Sequence, residues 1–147
     1  MEKIALSIIA ILGLITALKF KGIFHKVISI GITLAILITW IKSDIVLFIS
    51  YILLLIFAIV TSIYGLKAKE LRTIERNSII TMGGFLAIYF TFAILHLPGG
   101  GIMKILLLIP IVLTIISYRK HRKLTKEMSF LFFWLVMACI EFANNWI

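Results

Sequence analysis

Cysteine and acidic residues are scarce in this chain of 147 residues. It contains one cysteine, Cys139, and only six Asp or Glu against 15 Lys or Arg. A single cysteine excludes an intrachain disulfide and a metal site built from several cysteines, so cysteine usage gives no indication of the redox compartment.

Several enzyme signatures are also absent from the sequence. There is no phosphate-binding Gly-x-x-x-x-Gly-Lys-Ser/Thr, no His-Glu-x-x-His and no Gly-x-Ser-x-Gly. The run Gly99 to Gly101 follows the end of an apolar segment and is expected to be an outer turn. These absences favour a protein that is not an enzyme, and we assign no catalytic residue, cofactor or metal from the motifs.

Apolar residues make up most of what is present. They account for 63% of the chain, with a mean hydropathy of +1.19, well above the roughly 45–50% of soluble domains. The composition predicts an all-α, polytopic integral membrane protein, with residues 1–147 forming a single transmembrane domain. The first apolar segment resembles a signal sequence but lacks a small-x-small cleavage site, so we expect it to be retained.

Six apolar segments predict six transmembrane helices arranged as three hairpins. A membrane span needs about 20 residues, and the first two segments have only 15 each. They can span only if the flanking side chains extend to the lipid headgroups. These side chains are Lys3, Lys19, Lys26 and Lys42. The runs lack the alternation of barrel strands. The predicted helices cover approximately residues 4–18, 27–41, 45–66, 79–97, 102–118 and 128–146.

Local signals suggest where these helices begin, bend and end. Ser43 or Asp44 is a suitable N-cap for the third helix, and the pair Asn77-Ser78 for the fourth. The fourth should stop at Pro98 and the glycines after it, and Pro110 should kink the fifth.

The basic residues are concentrated in three turns. Twelve of the 15 Lys and Arg lie in residues 19–26, 67–76 and 118–126. The positive-inside rule places these turns in the cytoplasm and both termini outside. Anionic lipid headgroups are the expected partners, nucleic acid is not, and His25 and His121 should contact headgroups too. The basic residues assigned to topology and headgroup contact are Lys19, Lys21, Lys67, Lys69, Arg119, Lys120, Arg122 and Lys123.

Small residues recur at four-residue spacing along the helices. Such spacing allows close packing of helices within the chain. Two alternatives are that these residues form contacts in a homo-oligomer or a larger membrane complex, or that they line a pore. The pairs and triplets are Gly13 with Ala17, Gly31 with Ala35 and Thr39, Thr61 with Gly65, and Gly83 with Ala87 and Thr91.

Glu141 is the one carboxylate inside an apolar run, and an ionisable residue in a membrane helix is by default a functional hypothesis. It lies toward the outer end of its helix, so an interfacial position is an alternative. Asp44 and His96 fall on the same side of the predicted topology. The three side chains form a candidate binding cluster that could hold a divalent metal or pass a proton.

The stretch Phe92 to Gly99, with Met103 four residues on, reads Phe-Ala-Ile-Leu-His-Leu-Pro-Gly. It resembles the Phe-Lys-x-x-His-x-Pro-Gly-x-x-x-Met element of GldL-type inner-membrane motor subunits of gliding motility and type IX secretion. That family has a lysine at the position of Ala93, a glutamate in its next helix that is important to proton-driven rotation, and a large cytoplasmic domain. This sequence has none of the three, so the resemblance implies only a shared hairpin element in a bacterial inner membrane and does not extend to the motor role.

Three functions fit these observations. The first is a small, non-enzymatic accessory or interaction subunit of the bacterial cytoplasmic membrane. The second is a small oligomeric transporter or channel that uses Glu141. The third is a lipid-modifying enzyme with its site at Asp44, His96 and Glu141.

Overall fold

The fold is a bundle of antiparallel helices. The structure is a computed structural model that describes residues 2–121 and 127–143, and this part of the chain contains helices and no strand. The helices are α1 (Glu2–Lys19), α2 (Ile23–Ile38), α3 (Asp44–Lys67), α4 (Thr73–Ile94), α5 (Gly100–Leu106), α6 (Leu108–His121) and α7 (Met128–Ala143).

Two helices begin earlier than their apolar segments indicate. The α2 helix starts at Ile23 instead of residue 27, and α4 starts at Thr73 instead of residue 79. The first turn of α4 contains Glu75, which suits the positive end of the helix dipole. Hydropathy detects uninterrupted apolar runs, so first turns that contain polar residues, such as His25 and Lys26 in α2 and Glu75 and Arg76 in α4, were missed. The expected capping pair Asn77-Ser78 therefore lies inside α4, and its prediction as a cap was wrong.

The fifth predicted helix is interrupted, as Pro110 led us to expect. The structure divides it into α5 and α6 at Leu107, three residues before the proline. Proline has no N–H for the carbonyl of Leu106, four residues earlier, and its ring crowds that carbonyl. The interruption therefore falls one turn upstream of the proline itself.

The last helix, α7, is the inner helix of the bundle. It packs against α1, α2, α4, α5 and α6, and Trp134 at its centre is fully buried. The Trp134 indole N–H donates a hydrogen bond of 3.1 Å to the Thr61 hydroxyl on α3. This apolar helix of 16 residues thus has one face buried in the bundle, while Phe132 and Cys139 on its other face are exposed.

Small residues create the close helix contacts that their spacing predicted. A Cβ added at Gly83 on α4 would lie 2.6 Å from both the Ala58 carbonyl oxygen and the Ser62 nitrogen on α3. A Cβ at Gly31 on α2 would overlap the Phe57 ring. These contacts confirm the packing interpretation, because only a residue without a side chain permits such an approach.

Hydroxyl groups join neighbouring helices within the bundle. Each lies within hydrogen-bond distance of a main-chain carbonyl on a neighbouring helix, a contact that attracts helices where water is scarce. The Ser50 and Ser62 hydroxyls donate to it, whereas Thr33 and Ser78 share their single proton with a closer carbonyl of their own helix, Ser29 at 2.7 Å and Ile74 at 2.9 Å. The pairs are Thr33 with Ala10 at 3.2 Å, Ser50 with Ala35 at 2.7 Å, Ser62 with Ile80 at 3.2 Å and Ser78 with Leu113 at 3.1 Å.

The outer surface of the bundle is strongly apolar. Large aliphatic and aromatic side chains on α1, α2, α3 and α6 are exposed along the length of these helices. Within the described residues, three helical segments are long and apolar enough to cross a membrane. They are Asp44–Lys67 (α3), Thr73–Ile94 (α4) and Gly101–Arg119, which runs through α5 and α6. Ile23–Ile38 and Ser129–Ala143 are shorter apolar helices.

Candidate functional site

Glu141 lies near the end of α7, where it joins two other helices. The Tyr89 hydroxyl on α4 donates a hydrogen bond of 2.5 Å to Glu141 Oε2, and the Lys104 ammonium on α5 lies 3.7 Å from the same oxygen. The side chains of Lys104 and Glu141 are 24% and 19% exposed. The carboxylate is therefore paired and lies close to the end of the bundle.

A cleft opens beside Glu141, and we call it the Glu141 cleft. Its volume is about 140 Å³, close to that of an engineered cavity that holds benzene. At the same end of the bundle, the Lys3 ammonium donates a hydrogen bond of 3.0 Å to the Thr39 carbonyl oxygen. The polar residues that line the cleft are Lys3, Thr39, Ser50, Tyr51 and Glu141, and the apolar ones are Leu6, Ile36, Leu47, Leu54 and Met137.

His96 has a structural role at the end of α4. Its φ of 50° lies in the left-handed region, and the Leu97 N–H donates 3.0 Å back to the Phe92 carbonyl. A hydrogen bond between residues five positions apart is characteristic of a Schellman motif at a helix end. Glycine is the usual residue at the left-handed position that His96 occupies. The histidine thus occupies a position that turns the chain out of the helix.

His96 and Glu141 share neighbours, while Asp44 does not. His96 lines a second cleft of about 350 Å³ together with Tyr89 and Lys104, the two residues that contact Glu141. Asp44 is exposed at the start of α3 and lines neither cleft. Across residues 2–121 and 127–143, no group of three or more His, Cys, Asp and Glu is placed to hold a metal ion. His96 and Glu141 therefore both adjoin Tyr89 and Lys104, while Asp44 contributes to neither cleft.

The basic residues assigned to headgroup contact are exposed wherever the structure describes their side chains. Lys19, Lys21, Lys67, Lys69 and Arg119 all lie on the surface. Arg122 and Lys123 lie outside the described residues, as do the side chains of Lys120 and His121.

His25 is an exception among the polar residues of the basic turns. Its side chain is only 2% exposed, so its expected contact with solvated headgroups was wrong. Because α2 begins at Ile23, His25 lies on the same face as the buried residues Ile28, Ser29 and Ile32. The earlier start of the helix is what moves this histidine into the interior.

A second tyrosine and carboxylate pair lies at the opposite end of α7 and was missed in the sequence. The Tyr64 hydroxyl on α3 donates a hydrogen bond of 2.9 Å to Glu127 Oε1, and Glu127 is 2% exposed. Glu127 directly precedes α7, and its carbonyl accepts the N–H of Leu131. An acid at the start of an apolar helix was the available signal, because the helix dipole favours negative charge there.

The fold and these contacts define an all-helical protein with three helices able to cross a membrane. Its inner helix is attached to α3 and α4 through tyrosine and carboxylate pairs. No protein-family model matches the chain, and neither the curated proteins nor the solved structures include a match.

Proposed function

We propose that the chain is a six-span protein of the bacterial cytoplasmic membrane that acts as a non-enzymatic accessory or interaction subunit of a larger membrane complex. The basic turns face the cytoplasm, and the Glu141 end faces outward. The distribution of Lys and Arg supports this orientation. The resemblance of Phe92 to Met103 to an inner-membrane hairpin supports the choice of membrane.

The attachment of α7 at three levels is the observation that carries this proposal. Glu127, Trp134 and Glu141 each join the inner helix to α3 or α4 through a side-chain hydrogen bond. Fourteen residues separate the two glutamates, which corresponds to about 21 Å along a helix. The polar groups of α7 are thus used to hold the bundle together, as expected of a rigid subunit.

Reconstitution tests this function directly. The purified protein in liposomes should conduct no protons, Na⁺ or K⁺ above protein-free liposomes. Extracted from its native membrane in mild detergent, it should migrate within a larger complex on a native gel. Flux by the isolated protein would contradict the accessory role, and so would migration as an isolated chain from the native membrane.

A second candidate function is a small oligomeric transporter or channel, and the Glu141 cleft favours it. This cleft places an ammonium group, a phenol and a carboxylate on one lining at the end of the bundle. If the protein transports, Glu141→Gln should abolish flux. Asp44→Asn is the matched control because Asp44 is an exposed acid that does not line the cleft. Equal flux in the two variants would remove Glu141 from the mechanism.

A further inference from the structure

A groove between the beginning of α2 and the end of α3 has the composition of a lipid site. It is lined by four apolar or aromatic residues and by Ala68, with a single charged residue, Lys67. Its volume is about 330 Å³. We call it the Tyr64 groove, and its lining residues are Phe24, Val60, Ile63, Tyr64, Lys67 and Ala68.

The walls of this groove suit a hydrocarbon chain. The rings of Phe24 and Tyr64 lie with their centroids 6.0 Å apart, and Ile63 and Phe24 are both substantially exposed. The polar atom of Tyr64, its hydroxyl, already donates to Glu127. What remains along the groove is apolar surface next to a bilayer, where an acyl chain recovers the dispersion contacts that a void would lose.

The one charged residue that lines the groove is a lysine. Lys67 is exposed in the last turn of α3. Its flexible stem allows the ammonium to reach a phosphate at the membrane surface while the methylene groups lie along apolar neighbours. Lys67 is also in one of the three turns that contain twelve of the 15 basic residues. An acidic headgroup complements this charge.

We propose that the Tyr64 groove binds one phospholipid with an anionic headgroup. The acyl chain lies along Phe24, Val60 and Ile63, and the phosphate lies at Lys67. A bound lipid would contact Tyr64, whose hydroxyl connects α3 to Glu127 at the start of α7. This inference rests on the proposed membrane placement and not on the accessory role.

Lipid titration of the delipidated protein in neutral detergent, read by native mass spectrometry, tests the site. Phosphatidylglycerol and phosphatidylcholine with identical acyl chains are the two probes. The first phosphatidylglycerol should bind at least about fivefold more tightly than the first phosphatidylcholine. One lysine near an anionic surface contributes about 1 kcal/mol, which is about fivefold in affinity.

Two variants and one matched control locate the site. Lys67→Gln should weaken phosphatidylglycerol binding about fivefold and phosphatidylcholine binding less, because choline neutralises the charge of its phosphate. Lys69→Gln is the control, because Lys69 is equally exposed two residues further on but does not line the groove. Ile63→Trp fills the groove from an exposed position and should weaken the first binding step of both lipids.

Equal losses in Lys67→Gln and Lys69→Gln would overturn the proposal, since they would indicate diffuse attraction to the basic turns. Unchanged binding in Ile63→Trp would also overturn it. Both readouts use the isolated protein and measure neither flux nor complex formation. Failure of the lipid site is therefore distinguishable from failure of the accessory role.

Discussion

Tyr64 and Glu127 are 63 positions apart in the chain, yet the tyrosine hydroxyl donates a hydrogen bond of 2.9 Å to the buried carboxylate. The pair fixes the start of α7 against the end of α3. Tyr89 and Glu141 make the corresponding contact at the other end of α7, against α4. The inner helix is thus attached at both ends by the same pair of residue types on two different helices.

Removing the Tyr64 hydroxyl should destabilise the bundle. Tyr64→Phe keeps the ring, which packs edge-on against Phe130, and loses the bond to a charged acceptor, so we expect a loss of about 1–2 kcal/mol. Denaturation in detergent micelles measures the free energy of unfolding. Tyr118→Phe is the control, because Tyr118 is 51% exposed. Equal losses in the two variants would contradict a structural role for the Tyr64 hydroxyl.

The coupling energy between Glu141 and Tyr89 should differ from that between Glu141 and Lys104. Double-mutant cycles that combine Glu141→Gln with Tyr89→Phe or with Lys104→Gln measure each coupling. The short hydrogen bond from Tyr89 should give the larger coupling, about 1 kcal/mol or more. The partly exposed ion pair at 3.7 Å should give about 0.2–1 kcal/mol and weaken with added salt. A larger and salt-insensitive coupling to Lys104 would reverse this ranking.

Two adjacent glycines should respond oppositely to alanine. At Gly83 the added methyl group meets the main chain of α3 at 2.6 Å, so the two helices must separate, and we expect a loss of at least about 2 kcal/mol. At Gly84 the nearest atom is the Ser62 hydroxyl oxygen at 3.9 Å. Gly84→Ala should be neutral or stabilise by up to about 1 kcal/mol, because alanine favours helix.

The free energies of unfolding of the two glycine variants, measured side by side in the same detergent, check this difference. If both variants lost stability equally, the close approach of α3 and α4 at Gly83 would be wrong.

The left-handed backbone conformation at His96 should lower the free energy of unfolding by a measurable amount. Glycine adopts a φ of 50° without the clash that a Cβ produces. His96→Gly should therefore raise the free energy of unfolding by a few tenths to about 1 kcal/mol, and His96→Val should lower it by a similar or larger amount. Thermal unfolding followed by circular dichroism measures both. A loss of stability in His96→Gly would mean that the imidazole contributes more than the backbone costs.

The proposed orientation can be checked by thiol labelling. In a Cys139→Ser background, a cysteine at Gly100 should react with a membrane-impermeant reagent in intact cells. A cysteine at Arg119 should react only after permeabilisation, because the basic turns are expected on the cytoplasmic side. The reverse pattern would invert the topology. It would leave the helix packing unaffected, since that does not depend on which end faces the cytoplasm.

The sequence by itself determined the helical class, the approximate positions of the helices and the small residues at their contacts. These properties depend on runs of apolar residues, on basic turns and on four-residue spacing, which are local and can be read along the chain. Pro110 likewise indicated the interruption at Leu107. Helix starts were less accurate, because the first turns of α2 and α4 contain charged or polar residues and extend beyond the uninterrupted apolar segments.

Only the tertiary structure decided which polar groups meet. Glu141 was identified in the sequence, but its pairing with Tyr89 across 52 positions was not, and Glu127 was overlooked beside a run of basic residues. His25 is a buried residue because of the register of α2, and Asp44 lines neither of the clefts that Glu141 and His96 line. The physical reason is that helix formation is governed by neighbours in sequence. Pairing between helices depends on their rotation and relative position, which is set by packing across the whole bundle.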